Sequence, residues 1–218
     1  MSAYFVTGTD TGVGKTLVSC ALLHRFAQTG MTTVGMKPVA AGLDGNGDNE
    51  DVVLLCSAST VKAADGLVNP CAFSSAIAPH LAAAEEGREI RFAPIQQALD
   101  KLRRQADVVV VEGVGGFRVP LGVDGDSADL ARVLGLPVIL VVGLRLGCIN
   151  HTLLTLEAIQ ARGLVIAGWV ANCIDPAMLR RDENIATLTA LVSAPLLGVV
   201  GFQEQPDSLR ASGQLRLP

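Results

Sequence analysis

The chain has 218 residues, half of them hydrophobic and few of them charged, with a formal net charge of −4. Such a length and composition allow a sizeable core and exclude a disordered chain. The acidic balance excludes a protein that binds nucleic acid through a broad basic face.

Residues 4–6 form a short apolar run that reads as a strand, with no basic leader ahead of it. No apolar run in the chain is long enough to span a bilayer. Five cysteines (Cys20, Cys56, Cys71, Cys148 and Cys173) are scattered without a C-x-x-C pair, so they read as buried free thiols in a reducing compartment. Together these features predict a cytoplasmic protein with neither a membrane nor a nucleic-acid partner.

Between the first strand and a helical pattern at residues 15–29 lies Gly8-Thr9-Asp10-Thr11-Gly12-Val13-Gly14-Lys15-Thr16. A glycine-rich loop ending in Gly-Lys-Thr at a strand-to-helix junction is the arrangement of a phosphate-binding loop. Its main-chain N–H groups face inward, and the helix N-terminus adds a positive dipole end. Lys15 would reach the β- and γ-phosphates, and the Thr16 hydroxyl would hold Mg²⁺. Thr9 stands where the usual first glycine would be, with Gly8 one place earlier.

Residues 33–36 read as the second strand, closed by Lys37-Pro38. A cation there could neutralise charge on a transferring phosphoryl group; equally it could be a surface lysine, the commoner fate of that residue. Residues 40–49, rich in Gly, Asp and Asn, read as a mobile loop. Asp51 opens a helix at 51–56, either as a partner of the helix dipole or as a metal ligand. His80, after Pro79, has no assigned role.

A helix at 93–105 leads to four successive valines at 108–111, a strand buried on both faces as in a parallel sheet. Glu112 ends that strand ahead of Gly113-Val114-Gly115-Gly116. A carboxylate there, with room beside it, suits Mg²⁺. After a helix at 128–134 and a strand at 138–142, Gly147-Cys148-Ile149-Asn150 precedes a helix at 151–162. Free N–H groups at that turn suit a carboxylate ligand or a simple cap by Asn150; His151 reads as structural. A strand at 165–171 ends at Asn172, whose amide can read a base edge. A helix at 178–192 and a strand at 196–200 complete the pattern.

This alternation predicts one α/β domain over residues 1–218: a doubly wound, mostly parallel sheet of the P-loop NTPase type with right-handed crossovers. Ligands should lie outside the carboxyl ends of its strands.

The loop at 8–16, Lys37-Pro38-Val39, Val111-Glu112-Gly113-Val114-Gly115-Gly116, the run at 136–142, Gly147-Cys148-Ile149-Asn150-His151 and Ala167-Gly168-Trp169-Val170-Ala171-Asn172 together closely resemble the ATP-dependent dethiobiotin synthetases. The resemblance covers almost the whole chain. It implies a ligase that joins CO₂ to the two amines of 7,8-diaminopelargonate, using ATP and Mg²⁺ and releasing ADP and phosphate. It implies Lys15, Lys37 and Thr11 at the reacting centre. Gly12, Val13, Gly14, Lys15, Thr16 and Leu17 would hold the triphosphate, with Glu112, Gly113, Val114 and Gly115 beside the nucleotide and Asn172 at adenine. Thr16, Asp51 and Glu112 would hold the metal. Thr11, Lys37 and Ala41 would meet the substrate, Ala41 standing where the family commonly has a hydroxyl residue. Gly147, Cys148, Ile149 and Asn150 would receive the far carboxylate across the interface of a homodimer.

Two other readings compete. An amide ligase of the cobyrinate type would need a glutamine-hydrolysing domain, for which the chain is too short. A partition-type ATPase dimer switch usually carries a lysine where Asp10 stands, and a basic or amphipathic tail that is absent here.

Overall fold

The computed structural model describes all of residues 1–218. The first half contains β1 (Ser2–Gly8), α1 (Lys15–Ala27), β2 (Thr33–Met36), β3 (Val39–Ala41), α2 (Glu50–Ala58), α3 (Asp65–Val68), β4 (Cys71–Phe73), α4 (Pro79–Glu85) and α5 (Phe92–Arg103). Then come β5 (Val108–Glu112), β6 (Pro120–Gly122), β7 (Gly125–Asp126), α6 (Ser127–Leu134), β8 (Val138–Leu144) and α7 (Cys148–Ala161). The chain closes with β9 (Ile166–Cys173), α8 (Arg181–Leu191), β10 (Leu196–Val200) and α9 (Ser208–Ser212).

Six strands form one parallel sheet in the order β10-β9-β8-β1-β5-β2. The valine run of β5 shows why it is central. Val109 and Val111 face a core shared with Ile95, Leu99 and Leu102 of α5, while Val108 and Val110 face one shared with Leu22, Leu23 and Phe26 of α1. With apolar side chains on both pleats, the strand is stable only between two helical layers. Helix ends follow local chemistry too. At α6 the Asp126 carboxylate accepts the Asp129 N–H at 2.9 Å and the Asp129 carboxylate accepts the Asp126 N–H at 3.2 Å, a reciprocal cap. That helix stops at Gly135 in the left-handed region, φ 62°.

The strand order places a switch point at β1. The chain goes from β1 to β2, returns to β5 beside β1, and then crosses to β8 on β1's other side. Crevices open at such a reversal, outside the strand carboxyl ends. In register, Val6 of β1 stands opposite Glu112, and Met36 of β2 opposite Val111. Lys37, Glu112 and the loop after Gly8 therefore leave the sheet at one level.

Several boundaries differ from expectation. Helix α7 starts at Cys148, not at 151, because Gly147 at φ 96° turns the chain into the helix. Helix α8 starts at Arg181, not at 178, since Arg180 sits in the left-handed region at φ 55° and cannot continue a preceding helix. Ala40 and Ala41, read as loop, belong to β3, which pairs in parallel with β4. Strands of three residues are too short for a periodicity to reveal. Cys56 is exposed, so only four of the five free thiols are buried. No helix is long and apolar enough to cross a membrane.

Candidate active site

The phosphate loop leaves β1 at Gly8 and enters α1 at Lys15. Two of its glycines are required sterically. A Cβ on Gly8 would lie 2.5 Å from Val13 Cγ2, so Gly8 lets the loop fold down on its own buried valine. Gly14 has φ 88°, and a Cβ there would lie 2.1 Å from Asn172 Nδ2. Asn172, at the end of β9, donates from that nitrogen to the Val13 carbonyl at 2.8 Å. One amide hydrogen of the residue expected at adenine thus latches the loop to β9.

Lys15 is 7% exposed and donates to the Asp10 carbonyl at 3.1 Å. Burial, and then the neighbouring Lys37 ammonium, bring its pKa down to about 8. The first turn of α1 presents Thr16, whose hydroxyl lies 2.7 Å from Asp51 Oδ1 and 2.9 Å from Glu112 Oε1. Asp51 reaches this point from the first turn of α2, whose N-cap is Asn49. Glu112 reaches it from the end of β5 and is 1% exposed.

Lys37 donates to Glu112 Oε1 at 2.5 Å, to Asp51 Oδ2 at 2.8 Å and to the Gly113 carbonyl at 3.3 Å. Burial works against its charge, but the pull of Glu112 and Asp51 outweighs it, so its pKa is held above the ordinary lysine value. Asp51 shows the converse: burial raises it, and Lys37 together with the Thr16 hydroxyl brings it below the ordinary carboxylate value. Two lysines and two carboxylates thus form a compact, formally neutral cluster. Cys20, on the same helix as Thr16, is pushed up to about 12 by burial and then by Glu112, which keeps it a thiol and removes it as a nucleophile.

These groups line a cleft of about 750 Å³. The cleft gathers Thr11, Gly12, Gly14, Lys15, Thr16, Lys37, Ala41, Asp51, Glu112, Val114 and Gly115 out of the residues singled out in the sequence. Val13 and Gly113 contribute main-chain carbonyls behind it. A side hollow of about 250 Å³ shares Gly14, Thr16 and Asp51 and runs past Leu17 to Pro206 and Ser208. Gly147, Cys148, Ile149 and Asn150 line neither space.

Other lining residues carried no advance signal. Asn49, Val119 and the segment Ala76 to Pro79 form part of the cleft wall, with Ala76, Ile77 and Ala78 giving it an apolar side. Pro206 and Ser208 come from the segment before α9. The one available clue was Pro79 in the first turn of α4, which marks a helix start.

The donors suit Mg²⁺. Thr16, Asp51 and Glu112 are all hard oxygen ligands, and Glu112 Oε2 is buried without any hydrogen-bond partner. An unpaired buried carboxylate oxygen is costly unless a cation answers it. No three His, Cys, Asp or Glu side chains gather to bind a metal by themselves. Two carboxylates and a hydroxyl form an incomplete set of the kind Mg²⁺ completes with substrate phosphates and water.

Comparison with known proteins agrees with this architecture. A family model described as an AAA domain matches residues 2–208. The chain is 58% identical over 219 aligned residues to the ATP-dependent dethiobiotin synthetase BioD of Aromatoleum aromaticum, covering 99% of this chain and 97% of that one. Among solved structures, it is similar to the septum site-determining protein MinD of Pyrococcus horikoshii, with a TM-score of 0.62 at 15% identity, over 96% of this chain and 86% of that one. It is also similar to the signal recognition particle receptor FtsY of Elizabethkingia anophelis, with a TM-score of 0.55 at 17% identity, over 97% of this chain but only 64% of that one. At those identities the two structures speak to the fold alone.

Proposed function

The chain belongs to the AAA-domain family and, within it, to the ATP-dependent dethiobiotin synthetases, and on that premise we propose that the lysine–carboxylate cleft is its catalytic site. The enzyme is an ATP-dependent cyclo-ligase of biotin biosynthesis. It closes a cyclic urea from 7,8-diaminopelargonate and CO₂ while ATP becomes ADP and phosphate.

The chemistry sets three tasks. CO₂ adds to one substrate amine to give a carbamate, with loss of a proton. A carbamate oxygen is a poor leaving group, so it attacks the γ-phosphorus and ADP departs. The second amine then attacks the carbonyl carbon of the mixed carbamic–phosphoric anhydride, phosphate leaves with the C–O electrons, and the new ring nitrogen gives up a proton. Phosphoryl transfer needs positioning and charge neutralisation more than covalent help from the protein.

We assign the triphosphate to the main-chain N–H groups of residues 12–17, with Lys15 at the β- and γ-phosphates. Lys37 is assigned to the carbamate and the transferring phosphoryl group, since its ammonium already stands among the groups that must meet them. Thr11 is placed beside the substrate. Thr16, Asp51 and Glu112 would hold Mg²⁺, which when bound spreads the charge of the phosphates. The apolar wall at Ala76 to Ala78 faces the substrate's alkyl chain, and Ala41 offers it a methyl group where a hydroxyl would offer a hydrogen bond. The side hollow along Leu17 is assigned to the base and ribose; Asn172 lines neither that hollow nor the cleft, and its assignment to the base edge rests on the family resemblance.

A homodimer accompanies this reading. Gly147 to Asn150 are offered as the seat of the substrate's far carboxylate, and they lie outside the cleft of their own chain. Leu146, 94% exposed, and Leu154, 56% exposed, give the turn and α7 an apolar face suited to a second copy. Five free thiols favour a reducing compartment, and the cytoplasm is the proposed location.

The observation that carries the site assignment is the convergence of Lys37, Thr16, Asp51 and Glu112 at hydrogen-bond distance beside the phosphate loop. The test is ADP release from ATP, Mg²⁺ and bicarbonate, with and without 7,8-diaminopelargonate, while dethiobiotin is followed by mass. Diamine-dependent ADP release matched by dethiobiotin is the expected result. Hydrolysis indifferent to the diamine would overturn the substrate.

A further inference from the structure

One ion pair outside the cluster reaches the phosphate loop from another strand. Arg145 directly follows β8, and its Nη2 donates to Asp10 Oδ2 at 2.6 Å. The other Asp10 carboxylate oxygen accepts the Thr11 N–H at 2.8 Å, and the Asp10 carbonyl accepts Lys15 Nζ at 3.1 Å. Asp10 therefore touches two residues of the proposed reacting centre, and Arg145 holds Asp10. The same strand grips the loop at a second point: the Thr9 N–H donates to the Val141 carbonyl at 3.0 Å, and the Gly143 N–H to Thr9 Oγ1 at 3.4 Å. Arg145 also closes the turn into α7, its carbonyl accepting the Cys148 N–H at 3.0 Å.

Stability does not account for this pair. Its side chains are 41% and 47% exposed, and ion pairs so open to water contribute little to folding. Its charge does account for it. A carboxylate in a loop that must receive a polyphosphate repels its ligand unless it is neutralised. Arg145 supplies a permanent positive charge and draws the carboxylate toward β8, and guanidinium geometry fixes direction as well as charge.

We propose that Arg145 is a positioning residue of the ATP site: through Asp10 it holds the phosphate loop in its receiving shape and cancels a charge that would otherwise oppose the nucleotide. This rests on the reading of the cleft as an ATP site. Arg145 touches no reacting atom; it acts through Asp10 on Thr11 and Lys15.

The test uses the full chain as wild type, Arg145→Ala, Arg145→Gln, Arg145→Lys, Asp10→Asn and the double variant Arg145→Ala/Asp10→Asn. ATP affinity is measured by calorimetry with Mg²⁺, and kcat, KM for ATP and the melting temperature are measured alongside. Arg145→Ala should weaken ATP binding by roughly tenfold, raising KM more than it lowers kcat, with little change in melting temperature. Arg145→Lys should recover part of the loss, and Asp10→Asn alone should stay within about threefold of wild type. The double variant should bind ATP better than Arg145→Ala, because the stranded carboxylate is gone. Wild-type ATP affinity in Arg145→Ala overturns the proposal, as does a double variant whose losses simply add. If Arg145→Ala does not fold, Arg145→Gln carries the same comparison. Calorimetry needs no diamine, so a wild-type chain that binds ATP but makes no dethiobiotin would overturn the synthetase site while the variant affinities still decide on Arg145.

Discussion

Lys37 is held by two carboxylates, one of them fully buried, whereas Lys15 bonds only a main-chain carbonyl. Their removal should therefore harm the fold unequally. Lys37→Ala leaves the Glu112 carboxylate buried without its counterion, a loss in the range of about 3–5 kcal/mol for buried pairs, here toward the lower end because Asp51 is part-exposed. Lys15→Ala should melt near the wild type. Both should lose turnover by roughly a thousandfold or more, since in the proposed site each removes a cation where phosphoryl charge would develop. Thermal melts with and without MgCl₂, beside the ADP-release assay, check this. Mg²⁺ should restore much of the Lys37→Ala melt, and near-normal turnover in that variant would remove Lys37 from the reacting centre. The lowered pKa of Lys15, about 8, gives a pH signature. In the nucleotide-free protein its positive charge is present below 8 and lost as pH rises through 8; bound phosphates restore it. ATP binding at pH 8 should take up about half a proton, and affinity should decline above that pH. Calorimetry in buffers of different ionisation enthalpy reads the uptake, which should vanish in Lys15→Ala.

At the scale of elements, the site depends on where strands stop. The valine run, the glycine-rich loop and the strand-to-helix alternation were readable because each carries a local pattern. The roles of Lys37 and Asp51 stood open because the chain places them 14 residues apart, and 75 and 61 residues from Glu112; only the parallel pairing of β2 with β5 and the approach of α2 bring them together. The wall at Ala76 to Ala78 was hidden for a different reason, being apolar and aperiodic. The latch between β9 and the loop was equally invisible, joining residues 159 apart. It yields a double-mutant test. Gly14→Ala places a Cβ against Asn172 and forces a left-handed torsion, costing roughly 1–3 kcal/mol. Asn172→Ala frees that space, so the double variant should melt higher than the sum of the single losses predicts. Simple additivity, read by chemical denaturation, would mean that the contact relaxes without strain.

For the whole molecule, the doubly wound sheet was evident from the order of patterns alone, since alternating strands and helices admit few topologies. What a single chain cannot spell out is a site completed by a second copy. The proposed dimer predicts complementation. Lys37→Ala and Asn150→Asp should each be inactive, the first for want of the cation and the second because its new charge repels the substrate carboxylate. In a mixed dimer one of the two sites pairs an intact cleft with an intact turn. Random exchange should thus restore about a quarter of wild-type turnover. No recovery on mixing, with subunit exchange verified by mass, would place cleft and turn in the same chain.

The Lys37 ammonium lying between Asp51 and Glu112 also bears on how the enzyme behaves between turnovers. The ammonium answers Asp51 Oδ2 and Glu112 Oε1 and leaves Glu112 Oε2 without a partner, so a free divalent ion entering alone meets a charge already largely balanced. On the proposed metal assignment the pocket would admit metal and nucleotide as one package, because only the added negative charge of the triphosphate makes a third cation worthwhile. An idle molecule would then respond little to free magnesium, and its readiness would follow the supply of the charged nucleotide complex.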